Sequence, residues 1–484
     1  MRAALMLRIL GNPAWLDGRL NRRALLRAGG LGLLGLSDQG GPTAQAASTL
    51  ALPQFGRARQ VLLLYIYGAW SQLDTFDPKP GAPEEIRGEF SPIATCLPGL
   101  QVCEHLPQTA KMLDRCTVIR SMSHDYPIHS AAYTLTGNEN TELIEGRQRN
   151  PEHWPYVGGA LEYIADRQAE RGAARGLPGN ILLPWMQSSR SRPNKRAGTF
   201  GGFLGNAYDP IYAEFEGQAT HEDPYHGITP DGRFEFARSP EITLDVLDRR
   251  RSLLDQFESQ RAFLGEHEEG QAYGRQRRRA FDFAAATRLQ QALQIEQEPA
   301  ALREQYGMTL FGQAALAGRR LIESGVKFVT VMWDEFARSD ESWDTHHDHH
   351  PRMKNHLLPG FDRAFSTLIT DMDTRGLLDD TLVLCLSEHG RTPRFYDTHL
   401  GPGRGHWSRS YCQLFAGAGV RRGHVIGTSD KIAEQAVSEL VHPKDILCTL
   451  YYLLGIDPRT EITNRQGRPL PLVSGGEVVR GLLA

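Results

Sequence analysis

At 484 residues, with 57 acidic and 54 basic side chains, the chain carries a formal charge of −3 and an ordinary share of apolar residues. That length predicts one large α/β domain with insertions, or two domains, and the charge gives no electrostatic case for nucleic acid as a partner. Six cysteines without a Cys-x-x-Cys pair argue against a disulfide scaffold, although Cys96 and Cys103 are near enough in sequence to pair in an oxidising compartment.

The N-terminus reads as an address rather than as fold. Arg22 and Arg23 precede a short glycine-rich apolar stretch, Ala28 to Leu36, and then Ala44-Gln-Ala46. A basic region, a short apolar segment and an Ala-x-Ala site describe a secretory signal over residues 1–46, and the paired arginines suit the twin-arginine type. The apolar stretch is too short to span a bilayer, and no other segment reads as a membrane span. The expectation is export by the twin-arginine machinery, leaving residues 47–484 periplasmic or secreted.

Beyond the leader, Val61 to Tyr67 reads as a first buried strand, followed by a loop with Asp74. Glu104 to Leu113 reads as a short helix, Thr117 to Arg120 as a second strand, Tyr156 to Ala165 as a helix and Asn180 to Pro184 as a short strand. Residues 186–240 are rich in Gly, Pro and Arg and read as loop. Residues 241–306 are charged and helical in character, so 186–306 form a loop-rich and helical insertion. Alternation then resumes: a helix from Leu310 to Ser324, a β-branched strand from Val326 to Met332, and an amphipathic helix from His356 to Arg375 stopped by Gly376. An apolar strand, Thr381 to Leu386, a strand from Tyr411 to Phe415 and a helix from Pro443 to Leu454 close the chain. Helices alternating with strands buried on both faces predict a doubly wound, mostly parallel sheet sandwiched by helices.

In such sheets chemistry sits beyond the carboxyl ends of the strands. Asp74 follows the first strand, and His124 and His129 follow the second. The tract from Trp343 to His350, with Asp344, His346 and His347, follows the strand at Val326. Glu388 and His389 follow the strand at Thr381, and His406 lies on the loop after them. Imidazoles and carboxylates without thiols suit divalent ions: Zn or Mn, with Mg or Ca as further choices. Each position also has a plainer reading, Asp74 as a turn residue and the two histidines after the second strand as hydrogen-bonded loop residues.

The stretches Leu73 to Pro80, Arg87-Gly88, Val118 to Ser121, Glu298-Pro299, Arg319 to Phe328, Trp343 to His346, Gly390 to Pro393 and Gly403 to Trp407 together resemble the alkaline phosphatase superfamily. The closer resemblance is to its exported, sulfatase-like family known as domain of unknown function 1501. It runs from about Val61 to the C-terminus and implies an α/β sandwich with two divalent metal ions. By that resemblance Asp74, Glu388 and His389 hold one ion. Asp344, His406 and either His346 or His347 hold the other. Arg391 or Arg404 would neutralise a tetrahedral oxyanion. One departure concerns the nucleophile. Sulfatases carry a formylglycine precursor ten residues before a Leu-Thr-Gly glycine, and here that position is Pro127, so formylglycine chemistry is not expected. Ser130, Ser123 and Thr75 remain candidate nucleophiles, with His124 or His129 as general acid or anion-orienting groups.

The implied activity is metal-dependent hydrolysis of a phosphate or sulfate ester of a small molecule or polysaccharide. Two rivals stand beside it: attack by water with no protein nucleophile, and a non-catalytic metal- or ligand-binding protein that keeps the fold.

Overall fold

The computed structural model describes residues 15–16, 19–20, 52–129, 131–139, 150–170, 179–191, 197–237, 287–338 and 342–484. The chain divides into two compact units, Met1–Leu52 and Pro53–Ala484. In the first, the described residues form one antiparallel pair, Trp15–Leu16 with Arg19–Leu20. Ser130 and residues 241–286 of the charged stretch 241–306 lie outside the described residues.

The second unit is built on a nine-stranded sheet. In chain order its strands are β1 (Gln60–Ile66), β2 (Cys116–Met122), β3 (Asn180–Leu183), β4 (Ile211–Glu216), β5 (Arg233–Phe236), β6 (Phe328–Trp333), β7 (Thr381–Leu386), β8 (Tyr411–Gly417) and β9 (His424–Ile426). Their spatial order is β9-β2-β8-β7-β1-β6-β3-β4-β5. β8 runs antiparallel to β7 and β2, and β5 antiparallel to β4; every other neighbouring pair is parallel. This is the expected mostly parallel α/β sandwich. Its register brings Ile66, Trp333 and Leu386 to one edge, with Trp333 paired to Ile66 and Leu386 to Tyr65.

The central strands are buried on both faces, as their uninterrupted apolar runs require. Leu62, Leu64 and Ile66 of β1 share one apolar core with helices α2 (Leu310–Glu323) and α3 (Leu358–Thr374). The alternate residues point the other way. There the Tyr65 hydroxyl meets Thr134 Oγ1 at 2.6 Å, and Tyr156, at the start of helix α1 (Val157–Glu170), packs edge-on against Phe328.

Helix ends follow local chemistry. Thr309 caps α2 by accepting from the Gly312 N–H, and Gly376 (φ 70°) follows α3. The chain turns helical earlier than its periodicity predicts, through His349–Arg352 and a π-helical turn, Met353–Leu357. Pro359 lacks an N–H and its ring crowds the carbonyl four residues back, so the helix widens just before it. The stretch read as loop contains β4 and β5, the outermost strands on that side of the sheet. All six cysteines are free thiols, Cys96 and Cys103 included. No helix among the described residues is long and apolar enough to cross a membrane.

Several residues that carried the family resemblance serve packing rather than chemistry. Arg319, fully buried, pairs with Glu323 at 2.7 Å, Glu298 at 2.9 Å and Asp371 at 3.1 Å, and Tyr306 donates to the same Asp371 at 2.9 Å. These residues tie α2 to α3 and to the segment before α2. Removing one partner strands buried charge. Arg319→Ala is expected to lose about 3–5 kcal/mol of stability, read as a drop in the urea unfolding midpoint.

Candidate metal centre

At the carboxyl edge of β1, β6 and β7, Asp344 is the meeting point. Its Oδ1 lies 3.0 Å from His346 Nε2, 3.1 Å from His406 Nε2 and 2.6 Å from Arg391 Nη2. Its Oδ2 lies 3.1 Å from His129 Nε2, whose Nδ1 is 3.0 Å from Glu388 Oε1. His389 completes the group, its ring 4.4 Å from that of His406 and 5.7 Å from that of His129. Two ligand sets with at least two imidazoles emerge here, each with its atoms within 4.8 Å of one another: His129, His389 and His406, and Asp344, His346 and His406.

Backbone geometry explains how these loops converge. Gly68, just past β1, donates its N–H to Glu388 Oε1 at 2.7 Å and accepts from Arg391 at its carbonyl. It has φ 93°, and a Cβ there would meet Asp344 N at 2.5 Å, so only glycine lets the loops after β1 and β6 touch. On the far side of β7, Gln413 of β8 accepts from Ser387 N at 2.9 Å and donates to Ser387 O at 2.7 Å, fixing the strand end that launches Glu388.

The protonation states suit cation binding. Burial opposes ionisation of Asp344, yet the Arg391 guanidinium and His129 hold its carboxyl well below the usual range. Burial, then the neighbouring His406 and Arg391, pushes His389 well down, and burial brings His406 to about 3. His389 and His406 are thus neutral and the Asp344 carboxylate charged, as metal ligands must be. The orphaned atoms point the same way. His389 donates Nδ1–H to the Gly390 carbonyl at 2.8 Å, leaving Nε2 buried with no hydrogen-bond partner, and Glu388 Oε2 is in the same condition. A cation among His129, His389 and His406 would give His389 Nε2 the partner it lacks, so the residues present fit the group.

A family model described as a protein of unknown function, DUF1501, matches residues 58–483. The chain belongs to the DUF1501 family. No curated protein matches it in sequence. Among solved structures it is similar to a sulfatase from Pseudoalteromonas sp. (14% identity, covering 92% of this chain and 76% of that one, TM-score 0.38). It is also similar to a protein in the alkaline phosphatase superfamily from Vibrio parahaemolyticus (13%, 92% and 77%, TM-score 0.36) and to a phosphonate monoester hydrolase from Silicibacter pomeroyi (11%, 88% and 76%, TM-score 0.32). Likeness of this extent carries no argument about activity.

In this DUF1501 chain the expected ligands group differently from the expected sets. Asp344, His346, His406, Glu388 and His389 come together, and His129 joins them at the centre instead of standing by as a loop histidine. Asp74 does not contact Glu388 or His389. Its Oδ2 is taken by His349 Nε2 at 3.0 Å, Arg404 Nε at 2.8 Å and Ser71 Oγ at 2.5 Å. Burial opposes its ionisation, but Arg404 and His349 keep its pKa well below normal. His347 is in neither ligand set.

Arg391 and Arg404 are corrections of role. Arg391 Nη2 binds Asp344 and the carbonyls of Gly68 and Trp343, while Nε and Nη1 take those of Ala69 and Arg404. Arg404 gives Nη1 to Thr392 and Pro393, Nη2 to Ile86 and Nε to Asp74. Both are wholly buried and clamp loops, with their donors committed inside the protein. Of the candidate nucleophiles, Thr75 donates its hydroxyl to the Ser71 carbonyl at 2.6 Å within its own turn. Ser123 is half-buried and held by its backbone to Val441 and His442. His124 lies 2.8 Å through Nε2 from the Glu388 carbonyl and accepts from Tyr126 N at Nδ1, which makes it a support for Glu388.

Sequence reasoning missed two residues here. Glu335, two positions past β6, brings a buried carboxylate within ligand range of His129 and Asp344; its place just beyond a strand end was the available signal. Tyr396 lies with its hydroxyl 2.5 Å from His346 Nδ1, which fixes the ring with Nε2 toward Asp344, and nothing in its local sequence marks it.

Buried neutral imidazoles make the metal-free fold acid-sensitive. His406 stays neutral down to about 3, and burial holds His124 and His349 at about 4, whereas an unfolded histidine titrates at about 6.5. Between those limits the unfolded chain binds more protons, so acid favours it. Chelator-treated protein is expected to keep full stability above about pH 6.5 and to lose it steadily toward pH 4. Thermal midpoints across that range check this, and a flat profile between pH 7 and 5 contradicts it.

Proposed function

We propose that this protein is an exported, metal-dependent hydrolase of phosphate or sulfate esters, acting on a small molecule or polysaccharide. The observation that carries the reading is the convergence of His129, Asp344, His346, Glu388, His389 and His406 at one sheet edge, with buried acceptors at His389 Nε2 and Glu388 Oε2 that no protein donor satisfies. Two ions suit this group. Asp344, His346 and His406 would hold one, and His129 and His389 the other, with Glu388 Oε1 3.0 Å from His129 Nδ1. The donor set favours Zn or Mn over Mg or Ca. Divalent ions held there supply Lewis acidity to the oxygens of a tetrahedral ester and to an attacking water.

The chain's own residues do the positioning. Arg391 keeps Asp344 ionised and aimed, Gly68 and His124 steady Glu388, and Tyr396 sets the His346 ring. Neither Thr75 nor Ser123 presents its hydroxyl to the cluster by hydrogen bonding, which favours water over either as nucleophile; Ser130 lies outside the described residues. The commitment of both buried guanidinium groups to internal partners favours, as a second reading, a protein that binds metal without turnover. The export reading rests on the paired arginines and the Ala-x-Ala site of residues 1–46, and places the mature protein in the periplasm or outside the cell through the twin-arginine machinery.

Turnover of p-nitrophenyl phosphate or p-nitrophenyl sulfate by metal-loaded protein separates these readings. Asp344→Asn is expected to cut kcat/KM by more than roughly 100-fold, beyond the loss typical of a residue that only orients a ligand. If neither ester is hydrolysed while the metal is bound, the non-catalytic reading replaces this one. Tyr396→Phe is expected to weaken metal affinity by roughly 10–100-fold with the fold intact, measured by competition with a chromophoric chelator.

A further inference from the structure

The loop after β1 and the histidine-rich turn after β6 meet a second time, around Asp74. Ligand atoms of Asp74, His349 and His350 lie within 4.8 Å of one another. His350 Nε2 stands 3.5 Å from Asp74 Oδ1, too far for a good hydrogen bond. Both atoms are buried without a hydrogen-bond partner, and Asp74 is fully excluded from solvent. Arg404 and His349 Nε2 occupy Oδ2 of Asp74 and leave Oδ1 open.

The outer nitrogens of both rings have acceptors. His349 Nδ1 is 2.7 Å from Thr345 Oγ1, and His350 Nδ1 is 3.3 Å from Glu89 Oε1. With its Nδ1 donating outward, His350 turns its Nε2 lone pair toward Asp74; His349 Nε2, 3.0 Å from Asp74 Oδ2, does the same once its Nδ1 donates to Thr345 and an ion takes the place of that hydrogen bond, the arrangement by which neighbouring groups orient metal-bound histidines. The surroundings are shaped for the His350 ring. Gly88 has φ 65°, and a Cβ there would fall 2.5 Å from His350 Nε2. Phe90 and Phe395 flank the same ring at 4.6 and 5.0 Å between centroids.

We propose that Asp74 Oδ1, His349 Nε2 and His350 Nε2 bind a further divalent cation of the zinc class, with a ligand set separate from the hydrolytic cluster. Two imidazoles and one carboxylate, with no thiol, select zinc-like ions over magnesium or calcium. Such an ion fastens the turn His349–Arg352 to the loop after β1 and replaces the missing hydrogen bonds of both buried atoms.

The test is titration of the chelator-stripped full chain with Zn²⁺, followed by calorimetry and metal analysis. His350→Ala is expected to lose one zinc equivalent and keep those that Asp344→Asn removes. Glu89 is 66% exposed, so Glu89→Gln leaves folding intact and is expected to weaken that same equivalent by roughly 10–100-fold. Wild-type stoichiometry and affinity in both variants overturn the proposal, and unchanged affinity in Glu89→Gln alone does so if His350→Ala fails to fold. Loss of all zinc in Asp344→Asn overturns it too. Loss of zinc in His350→Ala but not in Asp344→Asn would instead sink the hydrolytic cluster and leave this site standing.

Discussion

One buried ion pair organises the functional edge of this protein. Arg391, launched from the end of β7, holds Asp344 at 2.6 Å and binds the carbonyls of Gly68, Ala69 and Trp343. A single guanidinium therefore joins the loops that leave β1, β6 and β7. Its five donors match that task, because a planar fork serves several acceptors in one plane. The pair also sets the chemistry, since Asp344 stays ionised despite burial and can gather His129, His346 and His406 around it.

Charge placement divides the edge into two zones. Around Asp344 the guanidinium shares one oxygen with His346 and His406 while His129 meets the other, and His389 Nε2 and Glu388 Oε2 are buried without a hydrogen-bond partner. Around Asp74 the guanidinium of Arg404 and His349 share one oxygen, and the other, without a hydrogen-bond partner, is turned toward His350. The same arrangement thus occurs twice: an arginine that keeps a buried carboxylate charged, and imidazoles that turn it into a ligand set. Both arginines spend their remaining donors on backbone carbonyls, which explains why neither is left to meet an oxyanion.

The sheet was largely legible in the sequence, because β1, β6 and β7 are unbroken apolar runs and burial on both faces demands such runs. β4 and β5 were not. Ile211–Glu216 lies near the sheet margin, is only partly buried and so lacks a clear apolar signature among glycines and prolines. Strand ends likewise pointed to Asp344, Glu388, His389 and His406. The choice among the histidines of the 346–350 tract was not legible, and the reason is Asp348. It adopts a left-handed conformation, φ 47°, which turns the chain so that His346 faces Asp344 while His349 and His350 face Asp74. Tyr396 is invisible for a similar reason: it reaches His346 across a separate loop.

The account's central claim is that the Asp344 cluster is a metal centre made of imidazole and carboxylate. Zinc K-edge X-ray absorption on the zinc-loaded chain carrying His350→Ala tests it most directly, because that substitution removes the Asp74 ligand set. The account predicts a nitrogen and oxygen shell at about 2.0–2.1 Å with the outer scattering of several histidine rings. A spectrum without imidazole scattering, or a protein that retains no zinc, would contradict it.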